Sequence, residues 1–382
     1  MKLLYPDYSH SIVNLSNSVL RYFGAQPLHP SLPELDNVLA QHSPSGNPYK
    51  HVIVMVFDAM GSRNLQDWLP ADSYLRSHQI AEITSTFPPT TTAATTSLQN
   101  GMTPSEHGWL GWRLYFSELG ANICPFMNTY DDKRLVTRRQ KYARKMIPYI
   151  SILDRIKQTG NARAYSVSEF GTHHISTFNE LFTAVRYICR RNEESYIYTY
   201  WAYPDGYMHR EGICGIDPLA EVNHINSAVA ELARHTSDTL IVVTADHGQI
   251  NGTNELITAY PDINDCLAVS PAIEPRALSF RLKAETDPRQ FENAFKKHFG
   301  RDFILMSREE VIDSGLFGNK AQRLTSVPAE HPRFREFIGD YIGISAGTRS
   351  IFRTEEEIRR FIGIHAGLLE QEMLVPCIVF RT

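Results

Sequence analysis

Three short stretches of unbroken apolar sequence each lead into an aspartate. "HVIVMVF" (51–57) is followed at once by Asp58. "YIYTYWA" (196–202) leads to Asp205 in "YPDGYMH", and "TLIVVTA" (239–245) is followed at once by Asp246. A strand buried on both faces needs a continuous apolar run, because helices cover both sides of its sheet. Helical patterns at 147–158, 178–191 and 217–235 alternate with the runs. The last places Asp217 as a cap and Pro218 at the first helical position. Such alternation predicts an α/β fold with a mainly parallel sheet and helices on both faces.

The texture changes near residue 270. "SPAIEPRALSFRLK" is broken by prolines, and "DPRQFENAFKKHFG" reads as a charged helix. The chain then returns to an apolar strand, "MLVPCIVF" (373–380). We therefore expect a core of residues 1–270 plus 346–382, with 271–345 inserted as a smaller α+β cap subdomain that selects substrate. Net charge is −4 over 382 residues, which offers no general grip on nucleic acid. No apolar run reaches the ~18 residues of a membrane span, and the N-terminus is a poor signal peptide. Cys124, Cys189, Cys214, Cys266 and Cys377 are scattered and form no CxxC pair. Free thiols in a cytoplasmic protein fit this pattern.

In open α/β sheets the carboxyl ends of parallel strands share one crevice. The three runs thus bring Asp58, Asp205 and Asp246 to one edge, with His209 and His247 beside them. Asp205 and His209 are four apart, so one helical turn sets both on one face. Clustered acids repel unless a cation compensates them. Mixed Asp and His donors suit a divalent ion such as zinc or manganese.

"VFDAMG", "FPPTTTAATTSLQNGMTPSEHGW", "YPDGYMHREG", "VVTADHGQ" and "GIHAGLLEQEMLVP" occur in an order that resembles the alkaline phosphatase superfamily, in its type I phosphodiesterase/nucleotide pyrophosphatase branch. The resemblance implies an alkaline-phosphatase-like fold, two divalent metals (zinc by default, manganese accepted) and a covalent phosphoenzyme. It implies that Asp58, Asp246, His247 and the nucleophile hold one metal. Asp205, His209 and a ligand that strand logic does not supply, His365, hold the other. It also places the nucleophile ten residues before the Gly that ends its helix, which is Thr91 before Gly101, with Thr90 and Thr92 as alternatives. The branch leads one to look for Asn three residues after the nucleophile. Ala94 stands there, which puts nucleotide diester specificity in question.

The residues agree with a helix starting near Thr91. Pro88 and Pro89 break the preceding strand, "AEITST", and the helix N-terminus presents free N–H groups to an anion. Thr95 and Thr96 are expected to bond back to helix carbonyls. Weaker signals are an aromatic group (Trp109, Trp112, Tyr115, Phe116) able to stack a base, Arg113 as a phosphate contact, the pair His173–His174, and "EHPRF" (330–334) at an entrance. The expected function is a metal-dependent phosphoric-ester hydrolase acting on a small phosphorylated substrate. Phosphomonoesterase, phosphonate hydrolase and a silent metal-binding scaffold are the alternatives.

Overall fold

The computed structural model describes residues 2–137 and 141–382. Its main sheet has seven strands, in the order Gln79–Thr84, Leu374–Arg381, Thr239–Thr244, His51–Phe57, Ser195–Trp201, Arg163–Ser168 and His173–His174. His51–Phe57 lies in the middle and pairs in parallel with both neighbours. Every residue of it is buried, as its unbroken apolar run requires. Arg163–Ser168 and His173–His174 extend the parallel set. Leu374–Arg381 runs antiparallel to both strands beside it. Gln79–Thr84 therefore points the same way as the parallel strands.

Helices fall where the patterns placed them, with two different starts. The helix expected over 147–158 begins at Ile152, because Pro148 sits in the preceding loop and Ser151 caps through the Asp154 N–H. The long helix spans Ile216–Arg234 and opens on Gly215. Asp217 therefore lies in its first turn, where its charge suits the helix dipole, and does not cap it.

A second sheet is antiparallel and orders its strands Ala272–Glu274, Ala277–Phe280, Tyr341–Ser345, Phe303–Ser307. Side chains alternate between its two faces. Leu278, Phe280 and Tyr341 pack against Phe291, Phe295 and Phe299 of the helix Pro288–Phe299. Ala277, Ile342 and Ile344 face the other way, onto Phe87, Trp109, Leu114 and Phe116. This sheet thus roofs the segment that follows the threonine-rich helix, and the two share one core.

A buried ion pair joins the roof to the main sheet. Arg276 donates from Nε and Nη2 to the two oxygens of Glu372, each at 2.7 Å, with both side chains fully buried. Arg276 also donates to the carbonyls of Gly347 and Arg349, and Glu372 accepts from the N–H groups of Gly367 and Leu369. Glu372→Gln leaves a buried guanidinium uncompensated, so urea unfolding should show a loss of about 3–5 kcal/mol. The double change Arg276→Met/Glu372→Leu should not recover that loss, because it also strips partners from the Gly347 and Arg349 carbonyls and the Gly367 and Leu369 N–H groups.

Candidate active site

Asp58, Asp205 and Asp246 follow three adjacent strands and meet at one sheet edge. Gln79–Thr84 ends at that edge too, and delivers the helix Thr91–Asn100. The antiparallel strand starts there, so the loop before it brings in His365. Two tight backbone features seat the acids. Ala59 adopts φ 58°, and its N–H donates to Asp246 Oδ1 at 3.1 Å. A Cβ at position 248 would overlap the Gln371 carbonyl, which explains the Gly after His247.

The edge holds two overlapping donor groups. Asp205, His209 and His365 form one, with their ligand atoms within 4.8 Å of one another. Asp58, Asp205 and His247 form the other on the same criterion. Asp246 joins the second less closely, with Oδ2 3.5 Å from His247 Nε2. Asp205 reaches both groups, and the rings of His247 and His365 stack at 3.8 Å. All three imidazoles are oriented alike. Nδ1 of His209 bonds the Gly363 carbonyl at 2.8 Å, that of His365 the Pro89 carbonyl at 3.0 Å, and that of His247 the Gly248 carbonyl at 3.1 Å. A carbonyl accepts only from N–H, so each Nδ1 carries a proton and each Nε2 is the nitrogen turned toward the acids, the one a metal would take on displacing its proton.

The charges at this edge are out of balance without a cation. Asp58 Oδ1 and Asp246 Oδ2 are buried and have no hydrogen-bond partner. Burial, then repulsion from Asp246 and Asp205, pushes the Asp58 carboxyl well above its ordinary range. Burial raises Asp246 as well. Burial also works to raise Asp205, but His209, His365 and His247 overcome it and hold the carboxyl below its usual range. Orphaned carboxylate oxygens beside imidazole Nε2 atoms aimed at them are a donor set that fits divalent ions.

The three candidate threonines have different fates. Thr91 Oγ lies 3.4 Å from Asp58 Oδ2 and 3.3 Å from His247 Nε2. Thr90 donates to Glu274 Oε1 at 2.6 Å. Thr92 is fully buried, with no partner for its hydroxyl. Thr95 bonds back to the Thr91 carbonyl at 2.6 Å, as its place on the helix suggests. Ala94 is fully buried in the main core.

The weaker signals resolve into packing. Trp109 and Phe116 are core, and Trp109 Nε1 donates to the Ile147 carbonyl. Trp112 stacks on Phe126, and Tyr115 lies under Arg281. Arg113 pairs with Asp131 and Glu357. His174 bonds the Glu169 carbonyl, His173 packs on Tyr165, and neither joins a metal-type group. His331 of "EHPRF" packs against Gly108. The five cysteines are free, and Cys214 is exposed. No described helix is long and apolar enough to cross a membrane.

Three polar residues at the site were missed from sequence. Tyr200 donates to Asp58 Oδ2. Its position in the strand alternation marked it only as a core residue. Gln249 donates to Asp205 Oδ1 at 2.9 Å, and its own backbone is held by Asn64. It stands two residues after His247, and that proximity was the available signal. Glu274 accepts from Thr90 and the Trp112 N–H. It enters from the roof, which strand-end logic does not reach.

The family model described as type I phosphodiesterase / nucleotide pyrophosphatase matches residues 52–289. No curated protein matches the sequence. Among solved structures, murine ectonucleotide pyrophosphatase/phosphodiesterase 5 is similar with a TM-score of 0.63 and 14% identity, over 85% of this chain and 87% of that one. The human protein of the same name gives 0.63 and 13%, over 86% and 87%. Phosphonoacetate hydrolase from Sinorhizobium meliloti, in complex with phosphonoformate, gives 0.62 and 17%, over 88% and 92%. At these identities the likeness is one of fold.

Two outcomes test the site. Asp58 and Asp246 hold protons more tightly folded than unfolded. Their contribution to stability therefore falls as pH rises from the ordinary carboxylate range through the raised pKa values. A divalent ion removes that penalty by displacing the protons. Melting curves between about pH 5 and 8 should show a zinc-induced rise in Tm that grows with pH. Asp58→Asn should flatten the metal-free profile and remove most of the rise, and a Tm unmoved by zinc at every pH would exclude a metal centre. Gln249→Ala should weaken zinc binding by ~10–100-fold in calorimetry, since it orients Asp205 without being a ligand.

Proposed function

The chain belongs to the type I phosphodiesterase / nucleotide pyrophosphatase family, and from that premise we propose that it hydrolyses phosphoric esters or phosphoanhydrides with Thr91 as nucleophile on a two-metal centre. One observation carries the reading: of the three threonine hydroxyls, that of Thr91 stands within reach of both Asp58 and His247. Asp58, Asp246, His247 and Thr91 would hold one ion, and Asp205, His209 and His365 the other. Zinc suits the donor set and manganese is accepted by it. When bound, the ions supply positive charge that acidifies the threonine hydroxyl and neutralises the departing oxygen.

The rest is the work of the chain's own residues. Thr91 gives up its proton toward Asp58 Oδ2, the acceptor it faces. Its Oγ attacks phosphorus, so that an Oγ–P bond forms as the bond from phosphorus to the leaving oxygen breaks. The leaving alcohol or phosphate takes a proton from solvent. The first-turn N–H groups of the helix Thr91–Asn100 have no intrahelical acceptors and face the anion. Water then attacks the phosphothreonine, the Oγ–P bond breaks, and Thr91 recovers its proton. Tyr200 and the Ala59 N–H keep Asp58 and Asp246 in place through both halves.

The phosphonate hydrolase resembles the chain in fold as much as the phosphodiesterases do, so the assay includes its bond type. Zinc-reconstituted protein is given bis-p-nitrophenyl phosphate, p-nitrophenyl phosphate and phosphonoacetate in parallel. The diester should be turned over fastest. Thr91→Ala should lose at least on the order of 10³-fold in kcat, and Thr91→Ser should keep part of the activity. Turnover that survives in Thr91→Ala means another hydroxyl reacts. Bound zinc without turnover of any of the three favours a silent scaffold.

A further inference from the structure

One turn beyond Thr91, the same helix forms the floor of a cavity of about 360 Å³. Thr95 and Thr96 line that floor, ~6 Å along the helix from the nucleophile at 1.5 Å per residue, and both are buried. Tyr200 closes the end nearest the acids, with its hydroxyl on Asp58. Phe170, about half exposed at 52%, marks the outer end. The cavity thus extends from Phe170 at the surface to Tyr200, the one lining residue whose side chain also reaches the acids.

Its walls combine aromatic rings with cations. Arg144 lies 3.9 Å from the centroid of the Tyr149 ring. The Lys141 ammonium sits 5.4 Å from the Phe126 ring and 5.3 Å from Phe170, and donates to the Phe126 carbonyl at 2.8 Å. Among the described residues, no acidic residue lines the cavity. Among the described residues, neither cation forms an ion pair with a carboxylate. Arg113, Arg333 and Arg349 all do. Two unneutralised cations in a cavity walled by aromatic rings form a receptor for an anion on a flat body.

We propose that this cavity binds a second anionic group, carboxylate or phosphate, carried on the organic part of the substrate. The inference rests on the phosphoesterase reading above and narrows its substrate class to esters with an anionic, flat leaving or retained arm. Arg144 would take the anion, with Lys141 at the mouth and Thr96 on the floor.

Two measurements test it separately from the chemistry. The first titrates phthalate into zinc-loaded Thr91→Ala and follows tryptophan fluorescence, since Trp109 lines the cavity. Saturable quenching is expected, weakened by about tenfold or more when Arg144→Gln is added. No saturation up to ~10 mM, or equal binding with and without Arg144→Gln, overturns the proposal. This readout needs no turnover, so it stands or falls apart from the catalytic reading.

The second compares p-nitrophenyl phosphodiesters whose other arm ends in a benzoate, a phenyl phosphate or an uncharged methyl benzoate. The ratio of kcat/KM for either anionic arm over the neutral one should exceed ~10 and fall to near unity in Arg144→Gln. The larger of the two anionic ratios identifies carboxylate or phosphate as the fitting group. A ratio near unity in the unaltered enzyme, or one that survives Arg144→Gln, overturns the proposal. If all three esters are inert, the phosphoesterase reading fails while the phthalate titration still decides the cavity.

Discussion

The interaction on which the structure turns is repulsion among three carboxylates at one sheet edge. Asp58 and Asp246 are almost wholly buried, and each has an oxygen without a partner. No fold keeps such a cluster for stability, since unpaired buried charge is among the costliest features a protein can hold. The edge is tolerable because the sheet beneath it is strong. Three central strands of unbroken apolar residues fix where each Asp stands. The imidazoles, each anchored by a backbone carbonyl, fix where a cation would be met. The electrostatic cost of the site is borne by the hydrophobic core below it.

His365 shows how topology extends that arrangement. Parallel strands alone offer the edge their carboxyl ends. Adding one antiparallel strand between Thr239–Thr244 and Gln79–Thr84 places an amino end there as well. The loop entering that strand carries His365, and Glu372 at its end is locked to Arg276 beneath the roof. The pair has no reason to be apolar even though apolar replacement often costs nothing. It accepts two loop N–H groups and donates to two carbonyls, so it satisfies four backbone groups that a hydrocarbon pair would orphan.

Most of this was legible in the chain because it is written with period and punctuation. Continuous apolar runs located the parallel strands within a residue or two, and the acids that follow them meet at one edge as their strands require. What was not legible depends on contacts far apart in sequence. His365 needed the family resemblance, because its strand runs backward. Tyr200 sits in an alternating strand, where a hydroxyl reads as core until its partner is known. The starts of two helices were displaced: Ser151 caps the one expected from 147, and the one expected to be capped by Asp217 opens two residues earlier on Gly215. Ala94, three residues on from Thr91, is packed into the main core, a burial that its small side chain alone did not signal.

Glu274 ties the roof to the start of the threonine-rich helix. It accepts from Thr90, the residue before Thr91, and from the Trp112 N–H. The residue before it, Ile273, adopts φ 68°. That is a left-handed conformation in which a β-branched side chain is strained by about 1–3 kcal/mol. The strain is held by the bridge from Ile273 to Arg113 and by close packing on Gly111, where a Cβ would stand 2.7 Å from the Ile273 side chain. The turn of backbone at Ile273 thus brings one carboxylate of the roof to the start of the helix Thr91–Asn100. The metal-type donors come from the main sheet, whose geometry leaves little room to vary. The roof reaches the N-cap of that helix through Glu274 and Thr90, while the donors reach its first residue, Thr91, from below. Two separate layers thus converge on the first turn of one helix.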